Sequence, residues 1–289
     1  MKTSQPKVSI LSSSYNHIHF IEDFIKSVYA QDYSNFELLM LDDGSKDGSD
    51  KKLLELSKTY GFSAFARKNQ GFPNALNALR KQATGDYILI IASDDMMPPD
   101  RLTKQVEYLE QNKDCAMVCG NMQEINEHGV KGKHIEYPFS KGNMFEPLLL
   151  GHMYILAPTV MIRTSALNQI GAYDENLMVE DFDMWLRLAQ EFPFGHINHT
   201  SAFYRKHDGN EHGNYERSYQ QKELVLNKYK QHPLYQQAMT THYRNAFSFL
   251  SGLKDFRDLA KTYKSKAKSY GALNGQYIKA CVKYYFLAK

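Results

Sequence analysis

The chain has 289 residues, 43% of them hydrophobic and 13% aromatic, with a formal net charge of +3. That is enough apolar material for a sizeable core, which excludes a globally disordered chain, and the length allows one large domain or one domain with an appendage. The charge is unevenly spread: residues 215–289 carry 14 Lys/Arg against 4 Asp/Glu, so an acidic body carries a basic tail.

In chain order, Val8-Ser9-Ile10-Leu11 reads as a buried strand running into a polar loop, Ser12 to Asn16. Phe20 to Gln31 follows with Phe20, Ile21, Phe24, Ile25 and Val28 on one helical face. Phe36 to Leu41 is a second strand ending in Asp42-Asp43-Gly44-Ser45, and Ser49 or Asp50 is placed to cap a helix through Tyr60. A weaker strand is expected at Ser63 to Arg67 and a helix at Pro73 to Ala83, with proline in its first turn. Tyr87 to Ala92 is the third clear strand; it ends in Ser93-Asp94-Asp95, and Pro98-Pro99 then stops the ladder. Asp100 is expected to cap a helix over Arg101 to Gln111. This alternation predicts an α/β fold with a mostly parallel sheet flanked by helices, covered on both faces.

Three strands therefore end in polar clusters. In such sheets ligands bind outside the carboxyl ends of the strands, so Asp94 and Asp95 are expected at a site. Two carboxylates there suit a hard divalent cation, Mg2+ or Mn2+, which in turn suits a diphosphate; the plainer alternative is that they only cap a turn. No G-x-G-x-x-G follows the first strand and no P-loop sequence occurs, which argues against a dinucleotide coenzyme or a P-loop enzyme. Cys115, Cys119 and Cys281 form no C-x-x-C pair, which argues against a disulfide framework or a structural zinc site. No segment reads as a signal peptide or reaches the roughly 18 apolar residues of a membrane span. The expectation is a cytoplasmic protein that can touch the inner face of a membrane.

The segments "VSILSSSYN", "FELLMLDDGSKDGS", "NQGFPNALN", "GDYILIIASDD", "IGAYDENLMVEDFDMWLRL" and "YRKH" occur in the order found in family 2 glycosyltransferases, which the chain resembles over about residues 6 to 210. The resemblance implies a GT-A fold and an inverting, metal-dependent sugar transfer from a nucleotide-sugar donor. By position it implies that Ser13 and Tyr15 bind the nucleoside, that Asp43 accepts the N–H of a uracil-type base, and that Asn69 lies near the donor. It implies that Asp94 is the ribose-side or water-linked carboxylate, Asp95 the direct metal ligand, and His207 a metal or diphosphate contact. Many relatives carry an arginine where this chain has Leu76. Asp181 is implied as the general base, with Glu180 beside it on the acceptor side; taken alone, the two acids equally suit a helix start. Trp185, four residues after Asp181, is placed either to stack on an acceptor sugar or to fill the core. His17 and His19 earn no role and read as loop residues.

The expected domains are a catalytic domain over 1–214, with a nucleotide-binding half to about residue 95 and an acceptor-binding half after it, and a basic helical extension over 215–289. That extension reads either as a contact to an anionic membrane or as a packing surface on the catalytic domain or a second subunit. Nucleic acid is not an expected partner, because no recognised module is present and the body is acidic. Relatives that polymerise processively usually carry a Q-x-x-R-W segment, which is absent here, so the resemblance implies a single sugar addition, from a UDP-sugar to a hydroxyl of a glycan or lipid-linked glycan. The alternative is an inactive GT-A-fold binding or scaffolding protein; Asp43, Asp94, Asp95 and Asp181 favour the enzyme.

Overall fold

The structure is a computed structural model that describes residues 5–137, 141–209 and 215–286. The expected boundary at residue 214 and the last three residues of the basic tail lie outside them. The chain divides into two compact units, one of residues 1–143 and 155–210, the other of residues 144–154 and 211–289.

The first unit opens with β1 (Val8–Ser14), α1 (Ile21–Tyr29), β2 (Phe36–Asp42), α2 (Ser49–Tyr60), β3 (Ser63–Ala66), α3 (Phe72–Arg80), β4 (Tyr87–Ile90) and α4 (Arg101–Gln111). It continues with β5 (Met117–Asn126), β6 (Lys131–Ile135) and β7 (Lys141–Gly142). The second unit contributes α5 (Phe145–Leu149), and the first resumes with β8 (Met161–Arg163), α6 (Thr164–Ile170), α7 (Glu180–Glu191) and β9 (Phe194–Lys206). Among the described residues nine strands form one sheet, in the order β3-β2-β1-β4-β8-β5-β9-β7, with β6 on β5. β1, β2, β3 and β4 are parallel. β8 runs against both β4 and β5, and β9 runs parallel to β5, so β9 points the same way as β4.

The apolar runs dictate this layering. Val8, Ile10, Leu38, Met40, Tyr87 and Leu89 alternate onto one face, where Ile21, Phe24, Ile25 and Val28 of α1 and Leu102, Val106 and Leu109 of α4 complete a fully buried core. β1 extends through Ser12–Ser14, beyond its apolar run, because a ladder to β2 satisfies each backbone group up to the Ser14–Asp42 pair. Two expected caps differ. Ser49 is the first residue of α2 rather than its cap, and its N–H and Oγ both donate to Asp47. Asp100 sits at the cap position of α4, but its carboxylate faces His199 Nε2 at 3.0 Å.

The second unit is helical: α5, then α8 (Tyr215–Asn227), α9 (Tyr235–Leu250), α10 (Arg257–Ser269) and α11 (Gly275–Phe286). Its polar centre is Glu223. Lys266 Nζ donates to both carboxylate oxygens at 2.9 Å, the Tyr263 hydroxyl donates at 2.9 Å and the Tyr243 hydroxyl at 3.2 Å. Burial alone would raise this carboxyl, but the bonds from Lys266 and Tyr263, with the His242 imidazole 3.7 Å away, hold it down to about 2. A depressed carboxylate stabilises the fold fully above its ordinary value near 4.5, and that contribution is lost as pH falls from there through about 2. Glu223→Gln is expected to lower the stability of this unit by about 2 kcal/mol at neutral pH. It should also flatten the acid limb of a urea-unfolding series between those two pH values; wild-type stability with an unchanged acid limb would contradict the assignment.

Candidate functional site

The strand ends meet at one edge because β1, β2, β4 and β9 share a direction. Ser13 O accepts the N–H of Ser93 at 3.4 Å and Ser14 O accepts the N–H of Asp43 at 2.9 Å, so the ends of β2 and β4 flank that of β1. Beyond β4, Met96 and Phe203 exchange backbone hydrogen bonds at 3.0 and 2.9 Å, which clips the Asp94-Asp95 turn onto β9. That clip brings His207 to Asp94.

At this rim His207 Nε2 lies 3.1 Å from Asp94 Oδ2, and His17 Nε2 lies 3.7 Å from the same oxygen. Ligand atoms of His17, Asp94 and His207 all fall within 4.8 Å of one another. Two imidazoles and a carboxylate are a donor set that fits a divalent cation. Burial, opposed by the Asp94 charge, lowers the His17 imidazole and favours its neutral, ligating form. Burial works to raise Asp94, but the hydrogen bond from His207 and the facing His17 imidazole hold it below the usual range. Gly209 N–H donates to His207 Nδ1 at 3.1 Å, so the hydrogen of the neutral His207 ring sits on Nε2, towards Asp94. The structure separates the two aspartates: Asp94 joins the histidines, whereas Asp95 is turned inward. Asp95 Oδ1 accepts the backbone N–H of Arg205 at 2.9 Å, and the residue is only 1% exposed. Burial and the neighbouring Asp94 charge push its carboxyl well above the usual range, against the pull of Arg205 and Arg101. A carboxyl so enclosed and so bonded ties the turn to β9. His17, read from sequence as a loop residue, belongs to the site.

The second cluster is built around the turn after β2. Asp42 Oδ1 accepts the N–H groups of Gly44 and Ser45 at 3.1 and 2.9 Å, a local Asx-type turn. The Asp43 carboxylate accepts Arg67 Nε and the N–H groups of Gln70 and Gly71 at 2.8, 3.2 and 2.8 Å, and so holds the loop containing Asn69 over the strand end. Asn69 itself is exposed, as is the Tyr15 ring, while Ser13 is buried.

Glu180 and Asp181 stand at the N-terminus of α7, where Asp181 Oδ1 accepts the Phe182 N–H at 2.6 Å. The segment before α7 is tied to the Asp43 loop by a hydrogen-bonded series. Arg67 Nη1 donates to Asn74 Oδ1 at 2.6 Å, and Asn74 Nδ2 donates to Glu175 at 2.7 Å. Asn77 donates to the other Glu175 oxygen and exchanges two bonds with the Tyr173 backbone, all at 2.9 Å. Trp185 is 3% exposed in the core, so it has no free face for a sugar to stack on, and the acceptor-stacking expectation is withdrawn. Among the described residues its Nε1 has no hydrogen-bond partner.

A mostly parallel sheet with carboxylates and histidines at its strand ends is a GT-A-type architecture. The structure superposes on Staphylococcus aureus TarS 1-349 in complex with UDP-GlcNAc with a TM-score of 0.66, at 16% identity, over 97% of this chain and 93% of that one. The sequence pattern of "Glycosyl transferase family 2" matches residues 9–171, and the chain belongs to that family. EpsE of Bacillus subtilis is 32% identical over 213 residues, covering 70% of this chain and 73% of its own. The Escherichia coli UDP-Glc:alpha-D-GlcNAc-diphosphoundecaprenol beta-1,3-glucosyltransferase WfgD is 30% identical over 191 residues, covering 66% and 73%. An uncharacterized glycosyltransferase of Rickettsia felis is 33% identical over 193 residues, 66% of this chain but 32% of its own, so the chain spans about a third of that relative's length.

Gly44 links the two halves of the Asp43 cluster. Its φ is +86°, and a Cβ there would lie 2.6 Å from the Asn69 backbone nitrogen. Gly61 has a similar φ of +76° with no atom within 4 Å of such a Cβ. Gly61→Ala is expected to cost about 1–2 kcal/mol from backbone strain alone. Gly44→Ala is expected to cost more and to displace the loop at Asn69. Thermal unfolding and UDP titration of both variants check this; equal losses, with UDP binding alike in the two, would contradict it.

Proposed function

We propose that the protein is an inverting, metal-dependent glycosyltransferase that moves a single sugar from a UDP-sugar to a hydroxyl of a glycan or lipid-linked glycan, in surface polysaccharide or glycolipid synthesis. The observation that carries the reading is the convergence of Asp94, His17 and His207 beside the Asp43 loop at the strand-end rim. A rim that gathers cation ligands next to a loop pinned by a carboxylate suits a nucleoside diphosphate. The donors named for the E. coli relative and for the S. aureus complex, UDP-Glc and UDP-GlcNAc, support a uridine donor. The diphosphoundecaprenol acceptor named for that relative supports a lipid-linked one.

In this reading Ser13 and Tyr15 flank the nucleoside and Asp43 sets the loop that receives the base. Asp94 and His207 would hold the cation, which when bound stabilises negative charge on the leaving diphosphate. Asp181 takes the proton of the acceptor hydroxyl as that oxygen bonds to the anomeric carbon. The bond from the anomeric carbon to the diphosphate breaks on the opposite side and carries its electron pair to the nucleoside diphosphate. Glu180 lies on the acceptor side. Asp181→Asn is expected to lower transfer at least about a hundredfold. It should leave intact the thermal upshift produced by UDP with Mn2+, which follows from binding to the folded state alone. Full transfer by that variant would remove Asp181 as the base, and a wild-type protein that UDP does not stabilise would remove the donor reading.

The reading includes a peripheral contact with an anionic membrane through α11. Ile278, Val282 and Tyr285 recur on one face of that helix and are 62%, 52% and 53% exposed, while Tyr277, Ala280 and Tyr284 face the unit's core. Lys279 and Lys283 follow the stripe on one flank, and Lys264, whose Nζ donates to the Tyr285 hydroxyl at 2.7 Å, lies at the other. No helix among the described residues is long and apolar enough to cross a membrane. An apolar stripe between lysines instead suits an interfacial helix. The protein is expected to sediment with vesicles containing phosphatidylglycerol and to stay in solution with phosphatidylcholine vesicles. Ile278→Glu with Val282→Glu should abolish the sedimentation. No vesicle binding, with a dimer that the same double variant dissociates, would assign the stripe to a second subunit.

A further inference from the structure

His17 is the member of the rim cluster to which the transfer chemistry gives no task. Its Nε2 is 3.7 Å from Asp94 Oδ2, beyond hydrogen-bond reach, and its ring stands edge-on to that of His207 with centroids 5.9 Å apart. Donors about 2.1 Å from one ion lie roughly 3 Å apart when adjacent and about 4 Å apart when opposite, so this spacing is that of ligands around a shared cation. The other ring nitrogen, Nδ1, is engaged by Ser93 Oγ at 2.9 Å, the outer-shell contact that orients a ligating imidazole. The backbone is pinned as well. His17 N–H donates to Ser49 Oγ at 3.0 Å, Ser49 Oγ donates to Asp47 Oδ1, and Ile18 N–H donates to Asp47 Oδ2. The ring is thus held in place before any ion arrives.

We infer that His17 is a third ligand for the cation held by Asp94 and His207, and that this set of two imidazoles and one carboxylate selects a transition-metal dication such as Mn2+ over Mg2+. The inference rests on the transferase reading only in placing a metal beside the diphosphate. Mg2+ prefers oxygen donors and keeps its waters, whereas imidazole nitrogen suits the later first-row ions. Ligation through His207 Nε2 moves that ring's hydrogen to Nδ1, releasing both the Gly209 N–H and the bond from Nε2 to Asp94, so the ion must repay two hydrogen bonds. A second imidazole from His17 is a means of doing so.

The test is a Mn2+ titration of the full chain with UDP present. Free Mn2+ is followed by its electron paramagnetic resonance signal, and Mg2+ is added as competitor. Wild-type protein is expected to bind Mn2+ and to keep it against an equal concentration of Mg2+. His17→Ala should weaken Mn2+ binding about tenfold or more and shrink the Mn2+ over Mg2+ preference, with an unchanged metal-free Tm. Ser93→Ala, which leaves the ligand but removes its anchor, should fall between the two and serves as the readout if His17→Ala folds poorly. Unchanged Mn2+ affinity and preference in the well-folded variants overturn the inference. UDP binding by the wild type with no Mn2+ uptake overturns it and leaves the donor reading standing, whereas failure to bind UDP at all overturns both.

Discussion

The site depends on a buried charge knot behind it. Asp95 and Arg101 are enclosed with at most 1% exposure, and Arg205 is equally deep. Asp95 accepts the Arg205 N–H, while the Arg205 side chain donates from Nε to Asp94 O and from Nη1 to Glu127 O, both at 2.8 Å, and packs over the Phe20 ring. Arg101 donates to Gln105 and to Val160 O, and burial pulls its guanidinium down to about 9 even with Asp95 near. Taking such groups out of water costs several kcal/mol each, and only close pairing offsets it. The knot is therefore weak evidence for stability. It does leave few alternative positions for the turn that carries Asp94, and that is the property the rim requires.

The order of the rim follows from that restriction. Adjacent residues of a turn point in different directions, so one carboxyl of the pair can lock the backbone while the other faces the histidines. Asp94 stays below the usual range and Asp95 above it although both are buried, because His207 and His17 face one and mainly a main-chain donor meets the other. Two ionised carboxylates side by side in a low-dielectric pocket repel each other, and divergent proton affinities relieve the repulsion.

Much of the fold was legible from local pattern. β1, β2 and β4 carry continuous apolar runs, α1 and α4 carry one-face spacing, and the polar clusters at the strand ends marked the edge where Asp94 meets the histidines. β8 was not, since a strand of three residues, Met161–Arg163, has no period to read and exists only through its pairing with β4 and β5. His17 was missed for a similar reason: nothing within ten residues of it hints at Asp94, and the pair forms only when β4 lies beside β1. Which of Asp94 and Asp95 faces the histidines is set by side-chain direction, which depends on the Met96–Phe203 clip and leaves no trace in the local sequence. Trp185 was ambiguous because a helix spacing shows which residues share a face without showing what that face meets.

On the donor side the chain lacks the arginine many relatives place at Leu76, which here is core at 2% exposure. Arg67, just after β3, is held by Asp43 and Asn74, with its Nη2 buried and without a hydrogen-bond partner among the described residues. A buried guanidinium nitrogen left unmatched is costly unless something polar comes to it. A phosphate or ribose oxygen of the donor would do so, which gives Arg67 a reason to be held so firmly.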